Sequence, residues 1–141
     1  MGHAMRDLGA PIFVDTSGLY AVLDAGDVFH DRAGKAWRRW VDQDVPLVTT
    51  NYVVLEATAL LRNRLGIDAA ESLHRAMVPM LQVEWVTRPI HAAGVNRLLR
   101  AQRRPLSLVD CTSFEVMDIL ELHRAFSFDA HFIEEGFTCV P

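Results

Sequence analysis

The sequence has few of the residues on which several common classes of protein depend. Only two cysteines occur, Cys111 and Cys139, and they are far apart without any C-x-x-C spacing. The sequence therefore indicates neither a zinc site nor a disulfide framework, and both cysteines are expected to be small core residues. Lys35 is the single lysine, and the motif G-x-x-x-x-G-K-[ST] does not occur, which counts against a P-loop protein.

Long apolar runs are also missing. Runs such as residues 53–55 are only a few residues long, whereas a membrane-spanning helix needs about 20. No signal-peptide pattern opens the sequence, so we expect a soluble, cytoplasmic protein. The net charge of −4 argues against a protein that holds nucleic acid by bulk positive charge.

What the chain does have is enough apolar content for a core: 50% of its 141 residues are hydrophobic. This length and composition predict one compact domain. We assign residues 12–141 to that domain and residues 1–11 to an N-terminal extension, with residues 1–4 interpreted as a non-native leader ahead of Met5.

Short apolar segments alternate with amphipathic ones along the chain, which predicts an α/β sandwich of three layers around a parallel sheet. Strands are predicted at residues 12–14, 46–49, 83–86, 125–128 and 136–140. Helices are predicted at residues 18–23, 28–41, 51–65, 69–80, 89–103, 106–123 and 131–135.

Four acidic residues stand at unusual places in this pattern. Asp15 and Asp129 come directly after predicted strands, and ligands of parallel sheets bind outside the carboxyl ends of the strands. Glu56 interrupts the apolar stripe of its helix, so its carboxylate is expected to face inward. Asp110 lies in the first turn of the helix that follows Pro105. Neighbouring elements could bring all four together.

Converging carboxylates repel one another unless a cation relieves the repulsion. Oxygen ligands favour Mg²⁺ or Mn²⁺, and such ions can activate water and stabilise the leaving oxygen of a phosphodiester. The residues therefore indicate a metal-dependent phosphodiesterase or nuclease. Each acid also has a simpler interpretation: Asp15, Asp110 and Asp129 as cap or turn residues, and Glu56 as the partner of a buried arginine.

Four segments carry a resemblance to a known family: IFVDTSG at residues 12–18, TNYVVLE at 50–56, LSLVDCTSF at 106–114 and SFDAHFIEEGF at 127–137. In this order and spacing they resemble the motifs of PIN-domain ribonucleases, specifically the VapC-type toxins of toxin–antitoxin pairs. The similarity extends over nearly the whole chain, from Ile12 to Val140. Ser127 stands where many members have threonine, and the hydroxyl is kept.

The resemblance implies a five-stranded parallel sheet in the order 3-2-1-4-5, usually in a homodimer. It also implies Mg²⁺- or Mn²⁺-dependent cleavage of RNA that leaves a 3′-hydroxyl and a 5′-phosphate. The catalytic, metal-holding residues would be Asp15, Glu56, Asp110 and Asp129, supported by the hydroxyls of Thr16, Ser17 and Ser127. A cognate antitoxin, often with a basic side chain placed in the acidic site, would hold the enzyme inactive.

Several alternatives stay open. A PIN-like module could bind RNA or a protein without cleaving it. A haloacid-dehalogenase type of phosphotransferase would need Asp-x-Asp after the first strand, and Thr16 and Ser17 follow Asp15 instead. Arg97, Arg100, Arg103 and Arg104 form either a solvated face or an RNA contact. Five histidines show no spacing typical of metal ligands: His30, His74, His91, His123 and His131. They are interpreted as residues of the surface or of the surroundings of the site. The sequence names neither the RNA nor the number of metal ions.

Overall fold

The fold is built on one parallel sheet whose strand order is β3-β2-β1-β4-β5. The computed structural model describes residues 9–141, so most of the predicted extension, residues 1–11, lies outside the described residues. The strands are β1 Ile12–Val14, β2 Leu47–Thr50, β3 Gln82–Glu84, β4 Arg124–Phe126 and β5 Thr138–Val140. The predicted fold class and strand order are therefore confirmed.

Seven α-helices connect the strands within the described residues: α1 Thr16–Leu23, α2 His30–Asp42, α3 Asn51–Leu65, α4 Ile67–Ser72, α5 Arg88–Ala101, α6 Leu108–Ile119 and α7 Ala130–Glu134. Helix α1 starts two residues earlier than predicted because the Asp15 side chain caps it by accepting from the Ser17 backbone N–H. Helix α6 ends four residues before the predicted residue 123, and Glu121 then takes a left-handed φ of 55°. None of the helices in residues 9–141 is both long and apolar enough to cross a bilayer.

The helix predicted at residues 69–80 is interrupted in the structure. Helix α4 ends at Ser72, a π-helical segment covers Leu73–Met77, and a 3₁₀ turn covers Val78–Met80. Pro79 lies in that last turn, where it lacks the backbone N–H that a regular helix needs and its ring would clash with the preceding turn. The apolar spacing predicted a helix correctly, and the proline changes its hydrogen-bonding pattern.

Strand β1 is the central strand of the sheet, and all three of its residues are fully buried in the core. Its last pair with β4 joins Val14 and Phe126, so the next residues, Asp15 and Ser127, leave the sheet side by side. Helix α1 follows at once and lies very close to β4: a Cβ added to Gly18 would be only 2.7 Å from the Phe126 carbonyl oxygen. Glycine is required there for steric reasons. The sheet thus delivers polar side chains from two strands to one edge.

Candidate active site

A cleft of about 320 Å³ opens at the carboxyl edge of β1 and β4. All four acids proposed from the sequence contribute to its wall, together with hydroxyl groups and one leucine. Its lining residues are Asp15, Thr16, Ser17, Glu56, Leu60, Ser107, Asp110 and Asp129. The structure therefore brings the four predicted residues together, although they come from four separate elements of the chain.

Asp15 is the most buried of the acids, with 4% of its surface exposed. Its Oδ2 accepts hydrogen bonds from the hydroxyls of Ser17, at 2.9 Å, and Ser127, at 3.0 Å. Burial raises the pKa of Asp15 to about 7, and the nearby charge of Asp110 adds to the increase. The two hydroxyl donors therefore offset the cost of burying this carboxylate only in part.

Glu56 lies on α3 and faces the cleft, so its predicted inward orientation needs a correction. Its side chain is only half-buried, because the helix turns this position toward the cleft rather than toward the core. The Thr16 hydroxyl donates to its Oε1 at 2.6 Å. No arginine is recorded as an ion-pair partner of Glu56 in residues 9–141, which removes the simpler interpretation suggested by the sequence.

Asp110 and Asp129 both lie at helix starts. Asp110 forms a capping box with Ser107: each side chain accepts from the backbone N–H of the other residue. Asp129 caps α7 by accepting from the His131 backbone N–H at 2.9 Å. The predicted helix-start position of Asp110 is thus correct, and both acids also reach the cleft.

The side chains of Asp110, Asp129 and His131 form a group whose candidate ligand atoms all lie within 4.8 Å of one another. Burial raises the pKa of Asp110, with a further contribution from Asp129. Sequence reasoning had placed His131 outside the site, since no second histidine stands at a ligand spacing from it. The only local signal was its position two residues after Asp129, at the start of a helix.

The site suits a hard divalent cation. Its donors are mainly carboxylate oxygens, which Mg²⁺ and Mn²⁺ prefer. Burial is the main cause of the raised pKa values of Asp15 and Asp110, and the charge of a neighbouring carboxylate adds a smaller repulsion to each. A divalent ion among them would remove that repulsion. The acidic cluster therefore fits a metal site both by its ligand type and by its charge.

The arginines of the predicted basic cluster differ in their surroundings, although Arg97, Arg100 and Arg104 line one cavity. Arg97 is largely buried and pairs with Glu115, Asp118 and Glu135, while Arg104 pairs with Glu135. Arg100 and Arg103 are exposed. The interpretation as a solvated face therefore fits Arg100 and Arg103 but not Arg97, which forms ion pairs with acids on α6 and after α7.

A family model described as "PIN domain" matches residues 12–136. The chain belongs to the PIN-domain family. Among its relatives is the 23S rRNA-specific endonuclease VapC20 of Mycobacterium tuberculosis, recorded for strains CDC 1551 and H37Rv, which is 36% identical over 128 residues. The alignment covers 90% of this chain and 95% of VapC20, so the VapC-type resemblance is confirmed.

Two solved structures have the same fold. The crystal structure of M. tuberculosis VapC20, described as a sarcin–ricin loop cleaving toxin, matches with a TM-score of 0.80 at 35% identity, over 90% of this chain and 96% of that one. FitAcB from Neisseria gonorrhoeae matches with a TM-score of 0.67 at 14% identity, over 92% of this chain and 96% of that one. The second likeness supports the fold alone.

Proposed function

We propose that this chain is a divalent-metal-dependent endoribonuclease and the toxin of a toxin–antitoxin pair. The observation that carries the proposal is the convergence of four carboxylates from four elements on one cleft. Membership of the PIN family and 36% identity to the endonuclease VapC20 support the reaction class. Residues 12–141 would act as one catalytic domain.

The proposed substrate is RNA of the large ribosomal subunit. VapC20 is named as specific for 23S rRNA, and its structure is described as that of a sarcin–ricin loop cleaving toxin. Because the two chains align over 95% of VapC20, the same loop is the first substrate to test. The proposed site of action is the cytoplasm, where ribosomes are found.

The proposed roles of the residues follow from their contacts. Asp15, Glu56, Asp110 and Asp129 would hold Mg²⁺ or Mn²⁺, which supplies an acidified water and stabilises charge on the phosphate oxygens. The hydroxyls of Ser17 and Ser127 fix the Asp15 carboxylate, and that of Thr16 fixes Glu56. These hydroxyls keep the carboxylates oriented toward the cleft before substrate arrives, which favours rapid reaction.

Two protein partners belong to the proposal. A cognate antitoxin that inserts a basic side chain into the acidic cleft would neutralise the same charges as the metal and block the site. A homodimer is the proposed quaternary state, on the basis of the VapC-type resemblance. Light scattering of the isolated chain and of the chain co-expressed with the protein encoded beside it would test both partners.

The activity is tested with purified protein, ribosomes or free ribosomal RNA, and Mn²⁺. Wild type should produce new RNA 5′ ends at a defined position, whereas Asp110→Asn should not, because the substitution removes one of the four negative charges. A chelator should abolish the wild-type ends. If wild type and Asp110→Asn give identical ends, the acidic cleft is not the source of the cleavage and the proposal fails. If wild type binds RNA and yields no new ends, the chain is a binding module and the proposal also fails.

A further inference from the structure

Arg97 lies where three helices meet, and its guanidinium joins two of them to its own. It extends from α5 and donates to Glu115 and Asp118 of α6, the latter at 3.2 Å. Its Nη2 and Nε donate to Glu135, the residue that follows α7, at 3.1 and 3.3 Å. Only 19% of its side chain is exposed, 22% of that of Glu115 and 12% of that of Glu135, so these two ion pairs are shielded from water, whereas Asp118 is exposed.

The two helices that Arg97 joins are those that carry Asp110 and Asp129. Asp110 is in the first turn of α6, and Glu115 follows within the same helix. Asp129 caps α7, which has five residues, and Glu135 follows its last turn. The Glu135 backbone N–H donates to the His131 carbonyl oxygen at 3.1 Å, and the His131 backbone N–H donates to Asp129 Oδ1 at 2.9 Å. Hydrogen bonds therefore connect Glu135 to the Asp129 carboxylate through this short helix.

Close packing supports the same three helices beneath the guanidinium. Arg97 lies over the ring of the buried Phe114, 5.2 Å from its centroid, and that ring contacts Phe132 of α7 edge-on at 5.0 Å. A Cβ on Gly94 would be 2.6 Å from Thr112 Cγ2, so α5 and α6 lie at the shortest distance that their side chains permit. Such a packed block passes on small displacements instead of absorbing them.

Arg104 provides a contrast within the same cluster. Its guanidinium reaches Glu135 at 2.7 Å and Glu134 at 3.8 Å, both on the α7 side, and 46% of its side chain is exposed. Within residues 9–141 it forms no ion pair with the acids of α6. Removal of Arg104 would weaken one end of the network, whereas removal of Arg97 would break the ionic link between α6 and the residue that follows α7.

We infer that Arg97 is a positioning residue that sets the separation of Asp110 and Asp129, and through it the affinity of the cleft for a divalent cation. The inference rests on the proposed function, since it assumes that these two carboxylates share an ion. It assigns a role in the site to a residue of the helix cluster that itself has no contact with the cleft.

Titration of the full chain with Mn²⁺ in the absence of RNA, followed by electron paramagnetic resonance of the free ion, tests the inference. Loss of residues that orient metal ligands typically weakens binding by about 10-fold to 100-fold. We expect a loss in that range for Arg97→Gln and a similar loss for Glu135→Gln. Arg97→Lys keeps the charge but not the planar fork, so its loss should be smaller. Arg104→Gln should bind Mn²⁺ within about 3-fold of wild type, below the range for orienting residues.

A stability control separates positioning from general loosening of the fold. Leu73→Ala removes a buried side chain from the segment after α4, and its Mn²⁺ affinity should match that of wild type as long as circular dichroism shows it folded. Wild-type affinity in Arg97→Gln, or an equal loss in Leu73→Ala, would overturn the inference. If Arg97→Gln does not fold, Glu135→Gln decides. If wild type binds Mn²⁺ with the expected pattern but cleaves no RNA, the proposed function fails and the inference stands.

Discussion

The acidic cleft and the Arg97 cluster use the same kind of side chain in opposite electrostatic surroundings. In the cluster, Glu115 and Glu135 each lie against a guanidinium. In the cleft, Asp15 and Asp110 lie near one another and share the wall with Asp129. The pKa values of Asp15 and Asp110 are raised. One group of acids balances positive charge within the fold, and the other concentrates negative charge.

The difference teaches how to separate acids that stabilise the fold from acids that serve function. Moving a carboxylate out of water costs free energy unless a cation or several donors compensate. In the cluster, arginines of the protein compensate the buried carboxylates. In the cleft, part of that cost is left for a bound divalent cation to compensate. Perturbed titration in a cleft is a physical sign of a functional site, and here geometry and titration agree.

Glu56 of the cleft and Glu115 of the Arg97 cluster give the sharpest test of this difference, because each lies on a helix and each can be changed to glutamine. Glu56→Gln should lower RNA cleavage by at least about 100-fold, more than the loss of a residue that only orients a ligand. Its effect on the free energy of unfolding should stay within about 0.5 kcal/mol, since Thr16 can still donate to the glutamine oxygen. Cleavage assays and urea unfolding measure the two effects.

Glu115→Gln should show the reverse balance between stability and activity. It breaks a shielded ion pair with Arg97 and should lower the free energy of unfolding by about 2 kcal/mol. Its loss of cleavage should be smaller than that of Glu56→Gln. If both variants lose activity equally and stability equally, the distinction between the two regions is wrong.

The pH dependence of stability is also expected to separate the two regions. The pKa of Asp15 is about 7 in the folded chain, above the 3.8 of its unfolded state, so the folded chain binds more protons between these values. Stability of the metal-free protein should therefore fall as pH rises from about 4 to 7, by at most about 1.4 kcal/mol per pH unit for this group.

Urea unfolding in chelator from pH 4.5 to 7.5 measures this slope. Asp15→Asn should flatten it, and saturating Mn²⁺ should reduce the loss of stability at the upper end of the range, since an ion that binds only the folded chain stabilises it. A wild-type slope that Asp15→Asn leaves unchanged would show that the titrating group lies elsewhere.

An exposed ion pair should give the smallest effect and serves as the baseline for both regions. Arg75 and Glu71 lie one turn apart at 3.5 Å, with 78% and 58% of their side chains exposed. Arg75→Gln should change the free energy of unfolding by less than about 0.5 kcal/mol and leave cleavage and Mn²⁺ binding unchanged. A larger loss would mean that shielding is not what distinguishes the Arg97 cluster.

The sheet and the acids of the cleft were predictable because their signals are local. A buried strand followed at once by a polar residue places that residue at the carboxyl edge, and this rule located Asp15. Strand β4 ends at Phe126, three residues before Asp129. The predicted strand was therefore too long, while Asp129 still lies at the carboxyl edge of the sheet. The four motifs, taken in order, then indicated the strand order.

What the sequence could not reveal depends on contacts between distant residues. Periodicity placed Arg97 and Arg104 on one helix and its end, but only the fold shows that acids from α6 and after α7 reach them. Glu56 lies within an apolar stripe, and only the position of α1 against α3 shows that this part of the stripe borders a cleft. Pro79 altered a helix without altering its apolar spacing.

The helix caps have a consequence for the entropy of ligand binding. Asp15, Asp110 and Asp129 are tied to backbone N–H groups at the starts of α1, α6 and α7, so their rotamers are already restricted in the free chain. Each side chain ordered in advance avoids about 0.5–1.5 kcal/mol of immobilisation cost when a ligand arrives. Glu56, with a longer side chain held by one hydroxyl, keeps the most freedom. The cleft thus combines three fixed carboxylates with one adaptable carboxylate, which could adjust to a metal ion as its coordination changes.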